Sequence, residues 1–136
     1  MAWIKCMYAD KERGTGVNLW TNSGSSTSNF SPQTVTLKDT IFNYSLIRFR
    51  GKIMGNNSTV WETYVSPQYL ATCVTSTSTA GAGCMLTCSV GGSGRMARMA
   101  SANADGTKIT IGSATYIATS GTANNCVIPL AITGIV

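Results

Sequence analysis

The sequence predicts an all-β protein, an antiparallel β-sandwich with a jelly-roll-like arrangement of strands. The segment 44–54 gives the clearest signal, because apolar and cationic residues alternate there as in a strand with one buried face. The apolar positions are Ile47, Phe49, Gly51 and Ile53, and the cationic positions are Arg48, Arg50 and Lys52. Short apolar runs recur at intervals of about 8–12 residues, a spacing typical of sandwiches and jelly rolls. No helical period of useful length appears.

These runs predict about eight to ten strands separated by turns rich in Gly, Ser and Asn. In chain order the strands cover residues 2–8, 17–20, 33–37, 44–54, 59–65, 69–75, 84–90, 95–101, 108–111 (with 114–119 as a continuation) and 126–136. The turn signal at 55–58 predicts a hairpin between its two flanking strands. The charged segment 9–16 ends in glycines and predicts an exposed turn or a hinge. We therefore divide the chain into an arm or first strand with its hinge (1–16) and one sandwich domain (17–136).

The C-terminal segment 126–136 is the most apolar part of the chain. Such a segment predicts a strand that is inserted in a core or buried against another subunit. Pro129 has no N–H group to donate, so inside a sheet it implies an edge position or a bulge.

Charged residues make up only 11% of the chain, with a formal net charge of +5. Arg48, Arg50 and Lys52 form the one cation cluster, which predicts a solvated or subunit-facing strand face. Nucleic-acid binding would require a denser basic stripe with interleaved aromatics, so we expect no nucleic-acid partner. Low charge combined with many hydroxyl and amide side chains is typical of β-rich extracellular or virion proteins.

The five cysteines form no Cys-x-x-Cys pair. Cys84 and Cys88 are four residues apart, about 13 Å along one strand, which is too far for a disulfide. Reduced, mostly buried thiols are the expectation, without a zinc site. Neither a signal peptide nor an apolar stretch of membrane-spanning length is visible, so we expect no membrane insertion.

The chain contains no histidine, which removes most nucleophile–base pairs and metal triads. A glycosidase would need two facing carboxylates, and Glu62 and Asp39 are the candidates to test. The glycine-rich runs 81–83 and 91–94 are not followed by the helix and lysine of a phosphate loop. We therefore expect no enzyme activity, no catalytic residues, no metal site and no cofactor.

Aromatic side chains near strand ends or loops are candidate ligand contacts, since sugars stack on Trp and Tyr. These candidates are Trp61, Tyr64, Tyr69 and Tyr116. For each, packing in the core or in a subunit interface is the alternative. The candidates for a subunit interface are Arg48, Arg50, Lys52, Ile132 and Ile135.

Two stretches of the chain carry a family resemblance. The first holds Leu-Trp-Thr-Asn (19–22), Phe30, Gln-Thr-Val-Thr-Leu (33–37) and Tyr-Ser-Leu-Ile-Arg-Phe (44–49). The second holds Arg-Met-Ala-Arg (95–98), Gly-Thr-Lys-Ile-Thr-Ile (106–111) and a C-terminal strand with Pro-x-x-Ile-x-Gly-Ile, within 124–136. Together they resemble a small β-sandwich domain of tailed-phage and prophage virion proteins, of the tail-fibre, baseplate or head-fibre type. Residues 55–94 depart from that pattern.

The resemblance implies a jelly-roll-like unit that assembles as a trimer with other virion proteins, after synthesis in the host cytoplasm. Residues 1–16 would then be an arm that docks to a neighbouring virion protein. The first hypothesis is a bacteriophage structural subunit, in a fibre, tail tip or capsid decoration, that contacts a host surface glycan. The alternatives are a free carbohydrate-binding β-sandwich module and an enzyme acting on cell-wall polysaccharide.

Overall fold

The computed structural model describes residues 15–56, 58–73, 84–89, 94–116 and 121–136. The predicted strand at 2–8, most of the predicted hinge and the loop at 76–83 lie outside these residues. The described strands are β1 (Gly16–Thr21), β2 (Gln33–Thr36), β3 (Leu46–Met54), β4 (Val60–Val65), β5 (Cys84–Ser89), β6 (Arg95–Ala102), β7 (Lys108–Ile111), β8 (Thr115–Tyr116) and β9 (Cys126–Ile135). The helical elements are 3₁₀ turns at Gly24–Thr27 and Ile41–Asn43 and one α-helix, α1 (Pro67–Thr72).

Two antiparallel sheets pack against each other, which confirms the predicted all-β sandwich. The first sheet has the strand order β1-β9-β3-β4, and the second has the order β2-β7-β6-β5 with β8 beside β6. The strand pairs β1–β9 and β2–β7 join the N-terminal and C-terminal halves of the chain. The pairs β3–β4 and β5–β6 close instead as local hairpins.

Strand β3 has the two faces that its alternation predicted. Ile47, Phe49 and Gly51 are buried, whereas Arg50 is exposed and Arg48 is half-buried. A side chain at Gly51 has no room, because its Cβ would overlap the Ile128 carbonyl oxygen and the Trp61 ring. This close packing is one reason why Gly stands at an apolar position of the pattern.

Strand β9 is central, between β1 and β3, and is buried within its own chain. Gly51 faces Pro129, but the preceding residue Arg50 faces Ala131, so Leu130 is an extra residue in the ladder. This bulge confirms one of the two placements expected for Pro129, and the edge placement is wrong. The bulge lets a residue without an N–H group stand in a central strand.

Helix α1 corrects the predicted strand at 69–75. The Ser66 side chain accepts a hydrogen bond from the Tyr69 N–H (3.1 Å), and Pro67 occupies the first turn. Both features favour a helix start, because Ser satisfies a free N–H group and Pro needs none there. Leu70 is completely buried and anchors the helix, which packs against β6. The residues of 69–75 are compatible with a strand, but the capping residues Ser66 and Pro67 in front of them start a helix.

Candidate binding face

The outward side of the first sheet gathers most of the surface candidates into one area. The residues of β3 and β4 that point away from the core alternate with buried ones and are paired across the two strands. We call this area the cationic face, and it consists of Leu46, Arg48, Arg50 and Lys52 of β3 and Val60, Glu62 and Tyr64 of β4.

The strand register extends the cationic face across the whole sheet. Tyr64 pairs with Arg48, which pairs with Thr133 of β9, which in turn pairs with Asn18 of β1. The next row runs from Glu62 through Arg50 and Ala131 to Thr21 in the same way. Cations thus lie between an exposed tyrosine on one side and small or hydroxyl-bearing residues on the other.

Charges on the cationic face are only partly compensated. The Arg50 Nε lies 3.8 Å from a Glu62 carboxylate oxygen, and the two side chains are 50% and 38% exposed. An ion pair this exposed contributes about 0–1 kcal/mol to stability. The Lys52 ammonium donates a hydrogen bond to the Gly55 carbonyl (3.1 Å). With three cations and one carboxylate, the face carries a formal surplus of two positive charges.

Arg48 has an unusual environment for a surface cation. Its side chain reaches across the sheet toward β1, where a Cβ placed on Gly16 would lie 3.7 Å from a terminal guanidinium nitrogen. The Arg48 Nε is buried, and no hydrogen-bond acceptor for it exists among the described residues. A buried donor without a partner costs about 1–3 kcal/mol, and an external acceptor could reach this nitrogen only if the side chain moved.

The four aromatic candidates occupy different places. Tyr64 is 52% exposed on the cationic face, and Tyr69 is 54% exposed on α1. Tyr116 of β8 is half-buried against the core of the second sheet. Trp61 is 7% exposed, and its indole N–H donates to the Lys52 carbonyl (2.8 Å). Trp61 is thus a core residue without a surface to offer a ligand, which corrects its assignment as a candidate contact.

The two isoleucines proposed for a subunit interface are both buried. Ile132 pairs with Phe49 and is completely buried in the core of its own chain, so it cannot contact another subunit. Ile135 is 8% exposed and lies on the outward side of the sheet, in the row with Leu46 and Gly16. Among the interface candidates, Arg48, Arg50 and Lys52 are the ones with accessible side chains.

Arg98 is a buried residue that sequence reasoning missed. It lies on the inward side of β6 with no solvent exposure, and its guanidinium lies 5.2 Å from the centre of the Phe30 ring. The guanidinium donates hydrogen bonds of 2.8–3.3 Å to four carbonyl oxygens, those of Gly112, Asn124, Cys126 and Val127. Burial lowers the pKa of Arg98 to about 10, so it stays charged at neutral pH. The pattern of small and apolar residues at 96, 100 and 102 was the signal that position 98 faces inward.

One of the carbonyls around Arg98 belongs to strained backbone. Val127 has φ of 48°, a left-handed conformation that a β-branched residue rarely adopts. Its carbonyl accepts the 2.8 Å bond from the Arg98 Nε. Arg98 therefore ties the start of β9 to β6 and holds Val127 in place, which is a structural role.

The described residues contain no group of three or more His, Cys, Asp and Glu side chains that could hold a metal ion. Asp39 accepts hydrogen bonds from Asn43 and from the Tyr44 hydroxyl beside the second 3₁₀ turn. Glu62 lies instead on β4 next to Arg50. In the described part of the chain, no helix is long and apolar enough to cross a membrane.

The described cysteines Cys73, Cys84 and Cys126 are free thiols. Burial, followed by the neighbouring Cys73, raises the pKa of the Cys84 thiol to about 11. Burial also raises the pKa of Cys126. Both thiols are protonated at neutral pH and are therefore weak nucleophiles.

Comparisons of the chain with protein-family models, curated proteins and solved structures found no match.

Proposed function

We propose that this chain is a structural protein of a bacteriophage virion, a fibre, tail-tip or decoration subunit. In this role the cationic face contacts a partner on the particle or on the host surface. The observation that carries the proposal is the exposure of large apolar and aromatic side chains on this face, where Leu46, Val60 and Tyr64 lie beside the cations of β3. Arg and Tyr among apolar residues are also the composition that protein contact surfaces favour.

The distribution of the family resemblance over the fold supports the proposal. The two resembling stretches supply β1–β3 and β6–β9, and they pair with each other through β1–β9, β3–β9 and β2–β7. The Asn22 amide, in the Leu-Trp-Thr-Asn motif, donates to the Pro129 carbonyl (2.9 Å) in the C-terminal motif. The motifs therefore mark residues that hold the two ends of the chain together.

The segment that departs from the resemblance, 55–94, supplies different parts of the fold. It contributes β4 and β5, the last strands on one side of each sheet in the described part of the chain, together with α1. Three members of the cationic face, Val60, Glu62 and Tyr64, come from this segment. Strands that keep the family pattern, beside edge strands that depart from it, suit a subunit whose contacts differ from one particle to another.

Assembly is tested by the native mass of the full chain, measured by light scattering on a size-exclusion column at two concentrations. A homotrimer, about three times the 14.3 kDa chain, is the expected result. In such a trimer weak single contacts gain strength through avidity. Antibodies against the chain should also label purified phage particles. A monomer at both concentrations, together with unlabelled particles, would contradict the proposal.

A further inference from the structure

Positive charges on the cationic face form a straight row. Arg48, Arg50 and Lys52 are alternate residues of one strand, so neighbouring cations are anchored about 7 Å apart. One carboxylate, that of Glu62, faces the row among the described residues of the face, and it lies beside the middle cation. A flexible polymer with repeated anionic groups could place successive groups on successive cations of this row.

A second copy of the same face is a poor partner for this row. Two such faces would bring together surplus positive charge on both sides, which costs free energy when the charges lose water. Elsewhere on the chain, the described carboxylate of Asp105 has Lys108 near it, and that of Asp39 accepts hydrogen bonds from Asn43 and the Tyr44 hydroxyl. The described surface therefore offers no uncompensated acidic patch that another copy could present.

We propose that the cationic face binds an anionic polysaccharide, a linear chain of sugars that carry carboxylate or phosphate groups. This inference rests on the proposed function only in taking the face as a contact surface. Arg48 supplies the strongest single reason, because its half-buried side chain lies on the outward side of the sheet and forms no ion pair with a carboxylate of the described residues. The guanidinium groups of Arg48 and Arg50 can each hold such an oxyanion with two parallel hydrogen bonds.

Groups around the row suit sugar rather than nucleobase. Tyr64, 52% exposed and paired with Arg48, offers one ring on which a sugar can stack. Asn18 and Thr21 are exposed on β1 and can hydrogen-bond sugar hydroxyls at the other side of the sheet. Single-stranded nucleic acid binds instead to grooves with an aromatic ring for each of several successive bases, and the face has one ring.

The test is calorimetric titration of the full chain with polygalacturonate, a linear polymer with one carboxylate per sugar. Neutral dextran, poly-glutamate and single-stranded DNA are titrated under the same low-salt conditions. The face variant combines Arg48→Gln with Arg50→Gln. The matched control combines Lys38→Gln with Lys108→Gln, which removes the same charge at exposed positions off the face.

Polygalacturonate should bind the unmodified chain, the face variant should bind it about tenfold or more weakly, and the control should stay within about threefold. Tyr64→Ala should weaken binding and Tyr64→Phe should retain it. The proposal is overturned if polygalacturonate does not bind, if both double variants lose affinity equally, or if poly-glutamate or DNA binds as tightly.

Native mass separates this inference from the proposed function. The face variant should keep the native mass of the unmodified chain, because the face holds a polysaccharide and not another subunit. If the face variant instead falls to a smaller mass, the face is a subunit interface. That outcome would overturn the polysaccharide proposal and still support assembly.

Discussion

Arg98 and Arg48 lie on strands of opposite sheets, and they differ in burial and in their hydrogen-bond partners. Arg98 is sealed between the sheets and gives its hydrogen bonds to four backbone carbonyls. Arg48 lies on the outward side of its sheet with its Nε buried and without an acceptor in the described part of the chain. A buried cation whose three nitrogens all donate to backbone carbonyls holds a fold together, whereas a half-buried cation on the outward side of a sheet can be reached by a partner.

The same contrast applies to two aromatic residues of β4. Trp61 points into the sandwich, covers Gly51 and donates to the Lys52 carbonyl. Tyr64, three residues later, points out beside Arg48. One side of β4 therefore packs in the core and the other side is open to a partner. Substitutions on the inward side should change stability, and substitutions on the outward side should change binding.

The largest effect should come from Arg98→Ala. The substitution leaves four buried carbonyls without their donor and removes a support from the strained Val127, so we expect a loss of about 3–5 kcal/mol in unfolding free energy. Chemical denaturation followed by tryptophan fluorescence measures it. Arg95→Ala, an exposed arginine on the same strand, should change stability by less than about 0.5 kcal/mol. Equal effects of the two variants would mean that the hydrogen bonds from Arg98 to the four carbonyls do not stabilise the fold.

The second comparison sets Trp61→Ala against Tyr64→Ala. Loss of the buried indole should destabilise the chain by about 3 kcal/mol through lost contacts and a cavity over Gly51. Tyr64→Ala should leave stability within about 0.5 kcal/mol, because its ring is 52% exposed. Thermal unfolding of both variants checks this, and a large destabilisation by Tyr64→Ala would assign that ring to the fold.

Cys84 predicts how stability depends on pH. Its pKa is raised to about 11 in the folded chain from an ordinary value of 9.0, so between these values the unfolded chain has lost a proton that the folded chain keeps. Its contribution to stability is thus fully present below about pH 9 and is lost as the pH rises through 11. Cys84→Ala should flatten the fall in unfolding free energy over this range by about one proton. Met85→Ala, at an exposed neighbour, should leave the slope unchanged, and an unchanged slope in Cys84→Ala would contradict the assignment.

The smallest effect concerns helix α1. Ser66→Ala removes the acceptor for the Tyr69 N–H and should cost about 1 kcal/mol. Gln68→Ala, at an exposed position of the same helix, serves as the control and should cost close to nothing. A neutral Ser66→Ala would show that Pro67 and buried Leu70 are enough to start the helix.

How far the sequence could predict this protein depends on the kind of information each feature needs. The alternation in β3 reveals its two faces because strand geometry alone decides them. Helix α1 was read as a strand because Tyr69 and Leu70 suit both states, although Ser66 and Pro67 carried a start signal. Arg98 was missed because a charge is expected outside unless its donors are satisfied, and the carbonyls that satisfy them come from segments distant in sequence.

In the candidate site too, features set by local strand geometry were predicted, and features that depend on distant segments were not. The sequence identified Arg48, Arg50 and Lys52 as one strand face, and adjacent positions of the β4 hairpin add Tyr64. It misplaced Ile132, whose burial follows from its register opposite Phe49. The burial of the Arg48 Nε away from any acceptor of the described residues depends on how a long side chain crosses β9 toward Gly16, which no local pattern records.

The most direct test of the contrast between the two arginines is the rate of arginine modification by phenylglyoxal, measured by mass spectrometry with and without saturating polygalacturonate. Arg50 and Arg48 should react in the free chain and become protected when the polymer is bound, while Arg95 stays reactive and Arg98 stays unmodified in both states. Equal protection of Arg95, or modification of Arg98 as fast as of Arg95, would contradict the account.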